Sequence, residues 1–392
     1  MKLSLLFFIY FIGHYCVAQQ YIAGYQVAKE EVIRGIPLEY INKARQDFNI
    51  AYQHTSHGTH VTYGLFGLPD YKAGDEDLFS ISRNIEEYNK LTIYDYAIEN
   101  YAEANTDASD LSRNETAFIQ ATRNYLDDEN NALVNIVMWS WCNIEDHDVE
   151  GNYLPGMQTL IDEYGFGGTK IGHGPNQRSV PVHFIFMTGH ANADNNIGEG
   201  KPKNQADLIT NYCQHNGYFC LDYYSIDSYC MQDNYYEDAS DDGDSRIYGG
   251  NYNKDYQLDN ILGADYFENK ATPGGEVEYG SHTTQYITSN RKAYAMWWIL
   301  ARLAGWDGIS TAISDNQSQT RLIYDSHKKQ LVISDELVQK STLSIFNLLG
   351  ECLVTRRLTA VNYSVENLSQ GFYIALIQNE NQRVAIRFVI QR

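Results

Sequence analysis

Residues 48–60 read FNIAYQHTSHGTH, a short apolar run that breaks abruptly into a polar loop. The helical pattern LEYINKARQ (38–46) stands just before it. Three further runs share its character: ALVNIVMW at 132–139, VHFIFM at 182–187 and YFCLDYY at 218–224. Each is short, rich in β-branched or aromatic residues and bounded by polar or glycine-containing loops, as buried strands are. Helical patterns precede the last three in turn: NETAFIQATRNYLDD (114–128), MQTLIDEYG (157–165) and KNQADLITNYCQHNG (203–217). The last two end in Gly, which suits a helix C-terminus. Strands alternating with helices predict an α/β unit, a mainly parallel sheet with helices on both faces. Ligands are then expected at the loops leaving the carboxyl ends of the strands.

The strongest helical pattern is SNRKAYAMWWILARLA at 289–304, with Gly305 as its stop. Its tryptophans read as core. Residues 307–320 have no periodicity and read as a linker, after which the pattern changes to period two. STLSIFNLLGECLV, NYSVENLSQGFYIALIQ and NQRVAIRFVI predict strands joined by tight turns, a small all-β sandwich over 321–392. Charge divides the chain at the same place. Residues 321–392 carry nine Lys/Arg against six Asp/Glu, leaving 20 against 44 before them. The net charge of −21 argues against a nucleic-acid partner, because phosphate binding needs a basic face.

MKLSLLFFIYFIGHYCVAQQ opens the chain with an early Lys, an apolar run and small residues. This predicts a signal peptide over 1–18, cleaved near Ala18, and no later run is apolar enough to span a membrane. Export permits disulfides. Of Cys142, Cys213, Cys220, Cys230 and Cys352, the pair Cys213 and Cys220 is nearest, across HNG. The acidic stretch 232–257, QDNYYEDASDDGDSRIYGGNYNKDYQ, reads as a solvated loop rather than a calcium site, since it matches no complete calcium-loop pattern. The 32 tyrosines offer stacking faces that suit sugar rings as well as core edges.

SIFNLLGECLV, VENLSQGFYIALI and RVAIRFVIQR resemble the type A sorting domain that ends proteins exported by the type IX secretion system of Bacteroidetes. The resemblance implies the type IX machinery as a partner and passage across the outer membrane. The tail would then be removed, with release or surface attachment of the rest. No catalytic constellation is visible in this module; His327 is its only histidine.

Chemistry is expected earlier, in HTSHGTH. A Ser on a sharp turn after a strand exposes its hydroxyl, and a following helix N-terminus favours a developing oxyanion. Ser56 occupies that position, and Gly58 permits the tight backbone. The rival reading is a metal held by His54, His57 and His60, with His190 or an acid as a fourth ligand. HxxHxxH is not the HExxH arrangement, and a loop need not make the three converge, so the reading adopted carries no metal and no cofactor.

HTSHGTHVTYGL (54–65), MWSWCN (138–143), FMTGHAN (186–192) and the segment 281–306 beginning SHTTQYITSNRKAY resemble the SGNH (GDSL-like) hydrolases. The likeness spans roughly 45–306 and implies an SGNH/flavodoxin-like domain over 19–306. It implies Ser56 as nucleophile, His282 as general base, and Asn143 (backbone) and Asn192 (side chain) as oxyanion donors, with His190 able to replace Asn192. Thr55 stands where the family has Asp. Tyr279 stands three before His282, where an Asp is common, leaving Glu278, four before it, to orient the imidazole. The implied activity is that of a secreted serine esterase acting on a small-molecule or polysaccharide ester. The alternatives are a non-catalytic glycan- or surface-binding protein on the same fold and a His-ligated metal-dependent hydrolase.

Overall fold

A computed structural model describes residues 21–308 and, in the tail, 322–325, 328–333, 338, 340–347, 351–378 and 383–390. The expected signal peptide, linker residues 309–320 and His327 lie outside the described residues. The chain divides into two compact units between 309 and 310.

In the first unit, seven strands form one sheet: β1 (Ile22–Ala23), β2 (Asn49–Gln53), β3 (Ile81–Arg83), β4 (Leu91–Asp95), β5 (Ile136–Trp139), β6 (His183–Met187) and β7 (Cys220–Leu221). Their order is β1-β7-β6-β5-β2-β4-β3, and every neighbouring pair is parallel. The helices that matter here are α1 (Leu38–Asp47), α2 (Thr59–Gly67), α3 (Ala117–Asp127), α4 (Leu154–Tyr164), α5 (Pro202–Asn216), α6 (Tyr223–Ser228), α7 (Tyr252–Asp259) and α8 (Tyr286–Leu303).

Strand alternation sends successive side chains to opposite layers. Ile50 and Tyr52 of β2, Ile136 and Met138 of β5, and Ile185 and Met187 of β6 join a core with α1, α2 and α8. Ala51, Val137, Trp139, Phe184 and Phe186 join a second core with α3, α4 and α5. Both faces are therefore covered, which explains why the strands read as unbroken apolar runs. Burying one such side chain stabilises by about 1.5–3 kcal/mol. A one-residue slip would exchange the two sets, so register is firmly held.

β2 lies between β4 and β5, with Tyr52 opposite Asp95 on one side and Met138 on the other. From β2 the chain goes out to β3 at the sheet edge, returns through β4, then crosses to β5 on the other side of β2. Strand order reverses there, and the crevice at the carboxyl ends of β2 and β5 is the expected binding place.

α8 is buried along fifteen of its residues, Arg291 and Lys292 among them. It begins at Tyr286, three residues earlier than its apolar pattern predicts. Its polar first turn is buried because Asn290 Oδ1 accepts from Phe267 N at 2.9 Å and its Nδ2 donates to Phe267 O at 3.0 Å. α2 approaches α8 closely at Gly64, where an added Cβ would lie 2.2 Å from Ser289 O.

Three expectations need correction. The run 218–224 is strand only at Cys220–Leu221; the Asp222 carboxylate accepts from Ser225 N and caps α6, turning the chain into helix. The stretch 232–257 is not merely a solvated loop. It holds a hairpin, Asp244–Ser245 against Gly250–Asn251, and most of α7. Cys213 and Cys220 are buried neighbours but both thiols are free.

In the tail, Leu322–Asp325, Gln330–Ile333 and Asn362–Ser364 form one antiparallel sheet. Cys352–Arg357, Thr342–Asn347, Gly371–Gln378 and Arg383–Ile390 form another. Leu331 and Ile333 from the first share a core with Leu343, Ile345, Ala375 and Ile377 from the second.

Candidate functional site

The loop after β2 is held residue by residue. Gln53 at the strand end accepts from Ile98 N and Glu99 N, both at 2.8 Å, through Oε1. His54 is fully buried, with Nε2 2.7 Å from Asp95 Oδ1. Arg83 Nε donates to the other Asp95 oxygen at 2.9 Å. Gly58 packs on His54 so tightly that a Cβ would stand 2.3 Å from His54 Cβ, which accounts for the glycine. Thr55 Oγ1 donates to the Asp110 carboxylate.

Ser56 follows with φ +22°, in a region that costs a non-glycine residue on the order of 1–3 kcal/mol. It opens a 3-10 turn, Ser56–Gly58, that runs straight into α2. The first backbone N–H groups of this turn have no intrahelical partner and carry the positive end of the helix dipole.

The same stretch clamps a segment more than two hundred residues away. Thr59 Oγ1 donates to Ser56 O at 2.7 Å and accepts from Ser281 N at 3.0 Å. His60 Nε2 donates to Ser281 O at 2.5 Å, while His60 Nδ1 meets the Tyr223 hydroxyl at 2.5 Å. Both backbone polar groups of Ser281 are thus fixed by residues three and four beyond Ser56. The next residue, His282, is exposed, has φ +64°, and lays its ring on His57.

His57 is the centre of the rim. Its ring lies between His190, centroids 3.8 Å apart at 10°, and His282, 4.4 Å apart at 13°. Nε2 is 2.7 Å from Asp241 Oδ2, Nδ1 is 3.9 Å from Cys142 Sγ, and the carbonyl accepts from the Tyr223 hydroxyl at 2.8 Å. Burial opposes charge on this imidazole, but the Asp241 carboxylate and then the Cys142 thiol outweigh it, lifting the pKa to about 9. The reciprocal effects hold: His57 draws the Cys142 thiol below its ordinary value. Burial tends to raise the Asp241 carboxyl, yet His57 brings it below the usual range. His190 goes the other way, lowered to about 4 by burial and by the charge on His57, with Nδ1 bonded to Ala191 O at 2.7 Å. A cation stacked on the neutral His190 ring results, an arrangement that a π face favours.

Beneath the rim, Lys292 of α8 and Asp227 of α6 form an ion pair with both side chains 1% exposed. Asp227 Oδ2 accepts from Ala191 N at 3.3 Å, and Lys292 Nζ lies 4.3 Å over the Tyr223 ring. These charges hold up the floor on which His190 and His57 rest.

The sequence-predicted residues separate into two groups. Ser56, His190 and His282 come together around His57. Asn143, Asn192 and Glu278 are otherwise engaged or placed. The Asn143 and Cys142 amides both donate to Ser112 Oγ, at 2.7 and 2.8 Å. Asn192 Nδ2 donates to Glu145 at 3.0 Å. Glu278 is exposed, and its charge acts on Tyr63. Asp241, Thr59 and Tyr223 were not singled out from sequence. Asp241 lies in the DASDDGD run, whose acid density was visible although its destination was not.

The metal reading meets a geometric obstacle. His54 is spent on Asp95 and His60 on Tyr223 and Ser281, so the three histidines do not converge. Ligand atoms of His57, His190 and Asp241 lie within 4.8 Å of one another. A zinc ion, however, sits about 2.0–2.1 Å from each nitrogen in the plane of its ring. The two rings are stacked in parallel planes, and an ion in one plane misses the other. One ring would have to turn.

Residues 327–391 match the secretion system C-terminal sorting domain. The match supports export through the type IX system, to the medium or the cell surface, and the type IX machinery as a partner. No helix among the described residues is long and apolar enough to cross a membrane. No curated protein matches the chain.

Proposed function

We propose that the α/β unit is an ester hydrolase of SGNH type that works through an acyl-enzyme, with Ser56 as nucleophile and His282 as general base. The observation that carries this reading is the clamp through Thr59 and His60. It fixes Ser281 to the turn that bears Ser56 and so brings His282 to the same rim, at the switch point of the sheet. Positive φ at both Ser56 and His282 is further support, because such strain gathers where geometry serves function.

In this reading His282 takes the Ser56 proton as the hydroxyl attacks the acyl carbon, then returns it to the leaving alcohol. The N–H groups opening the turn at Ser56 face the developing oxyanion. The Asn143 amide and the Asn192 side chain join only if they leave Ser112 and Glu145. An acylated polysaccharide suits an exported, tyrosine-rich protein.

The test is p-nitrophenyl acetate turnover by the full chain, set against Ser56→Ala and His282→Gln. Each variant is expected to lose at least about 10²-fold in kcat/KM. Unchanged turnover in Ser56→Ala removes the serine mechanism, and no turnover in the parent protein favours glycan or surface binding instead.

A further inference from the structure

Cys142 is the nucleophilic group of the rim that the serine mechanism leaves unused, and it does not stand alone. Its Sγ is 3.9 Å from His57 Nδ1, whose opposite nitrogen is 2.7 Å from Asp241. Nucleophile, imidazole and orienting carboxylate in that order are the arrangement that activates a thiol. The imidazole cannot swing away easily, being stacked on both faces, and the His57 backbone carbonyl is held by Tyr223. The thiol is fixed as well, since the amides of Cys142 and Asn143 share Ser112 Oγ. Cys213, Cys220 and Cys230 are buried, whereas Cys142 is partly open to solvent.

We propose that Cys142 is a covalent modification site, a thiolate paired with the His57 imidazolium that reacts with hydroperoxides. The sulfur attacks the terminal peroxide oxygen and the O–O bond breaks. Sulfur is oxidised to the sulfenic acid, the peroxide is reduced, and the leaving alkoxide takes its proton from His57. Both side-chain shifts described above run in the direction this pairing requires. The modified sulfur lies beside Ser56, whose side chain helps to hold the Cys142 thiol low. Oxidation would therefore close the serine site, a consequence that rests on the function proposed above.

The test labels the full-length protein with iodoacetamide between pH 5.5 and 9.5 and reads each cysteine-containing peptide by mass spectrometry. Cys352, exposed in the tail, is the reference thiol. Between pH 9 and pH 6 the labelling rate of a free thiol falls about 10²-fold or more. The Cys142 rate is expected to fall less than about 10-fold. Asp241→Asn is expected to steepen the Cys142 profile toward that of Cys352. After cumene hydroperoxide, dimedone should mark Cys142. A Cys142 profile that tracks Cys352 in the parent protein overturns the proposal, as does dimedone capture on Cys352 alone. Labelling does not depend on ester turnover, so a failed serine mechanism leaves this result readable.

Discussion

At the scale of single residues, His57 owes its charge first to Asp241 and then to Cys142. Asp241 holds Nε2 at 2.7 Å, and the imidazole pKa stands at about 9 against an ordinary 6.5. A folded-state value above the unfolded one means stabilisation that is complete below pH 6.5 and lost as pH rises through about 9. Asp241→Asn is therefore expected to cost on the order of 2–3 kcal/mol at pH 6 and little above pH 9.5. Urea unfolding of both proteins at the two pH values measures this, and NMR should show the His57 titration moving down toward 6.5. Cys142, with its lowered value, contributes in the opposite sense as pH rises, so the difference between parent and variant is the quantity to read. An equal cost at both pH values would assign Asp241 a purely local structural role. The placement of Ser56 after a strand and of His282 before the last helix was legible beforehand, because both are local signals. Asp241 was not, because an acidic run looks the same whether it meets water or an imidazole 184 positions away.

Among the elements, the contact between α2 and α8 controls the site, since α2 begins at the Ser56 turn and α8 follows His282. Gly64 permits that contact. Gly64→Ala would gain about 1 kcal/mol of helix propensity, but its methyl would meet a backbone oxygen at 2.2 Å, which no side-chain rotation relieves. Overpacking typically costs 1–3 kcal/mol, and contact with backbone lies at the upper end. A net loss of about 1–2 kcal/mol in chemical denaturation is expected, with parallel loss of esterase turnover as the His57–His282 stack opens. A stabilised variant would show that the helices can part freely. The elements legible in the sequence were those with long apolar patterns: β2, β5, β6 and α8. β1 and β3 have two and three residues and leave no period to detect. β7 was over-read, because YFCLDYY is apolar and aromatic throughout while the turn in it is made by one capping carboxylate, Asp222.

For the molecule as a whole, among the described residues the two sheet-face cores of the first unit draw on residues 22–306, and the tail core draws on residues 331–390. Each core is described within one unit, so the His57 rim and the sorting domain are expected to be separable by truncation. Within the tail, Arg383–Ile390 pairs with Gly371–Gln378 over eight residues as the sheet's last strand. Removing residues 383–392 would leave the strand Gly371–Gln378 with a bare edge, and an unpaired edge of that length invites aggregation. Deletion of 310–392 is expected to keep the chain inside cells that possess the type IX machinery, with ester turnover in lysates unchanged per mole. Deletion of 383–392 alone is expected to block export as fully, since it strips the sheet of the strand that pairs with Gly371–Gln378. Immunoblots of medium and cell fractions, with turnover measured on each, distinguish the cases. Release of the truncated protein into the medium at parental levels would mean that export is directed from the α/β unit, leaving the tail match without a role in sorting.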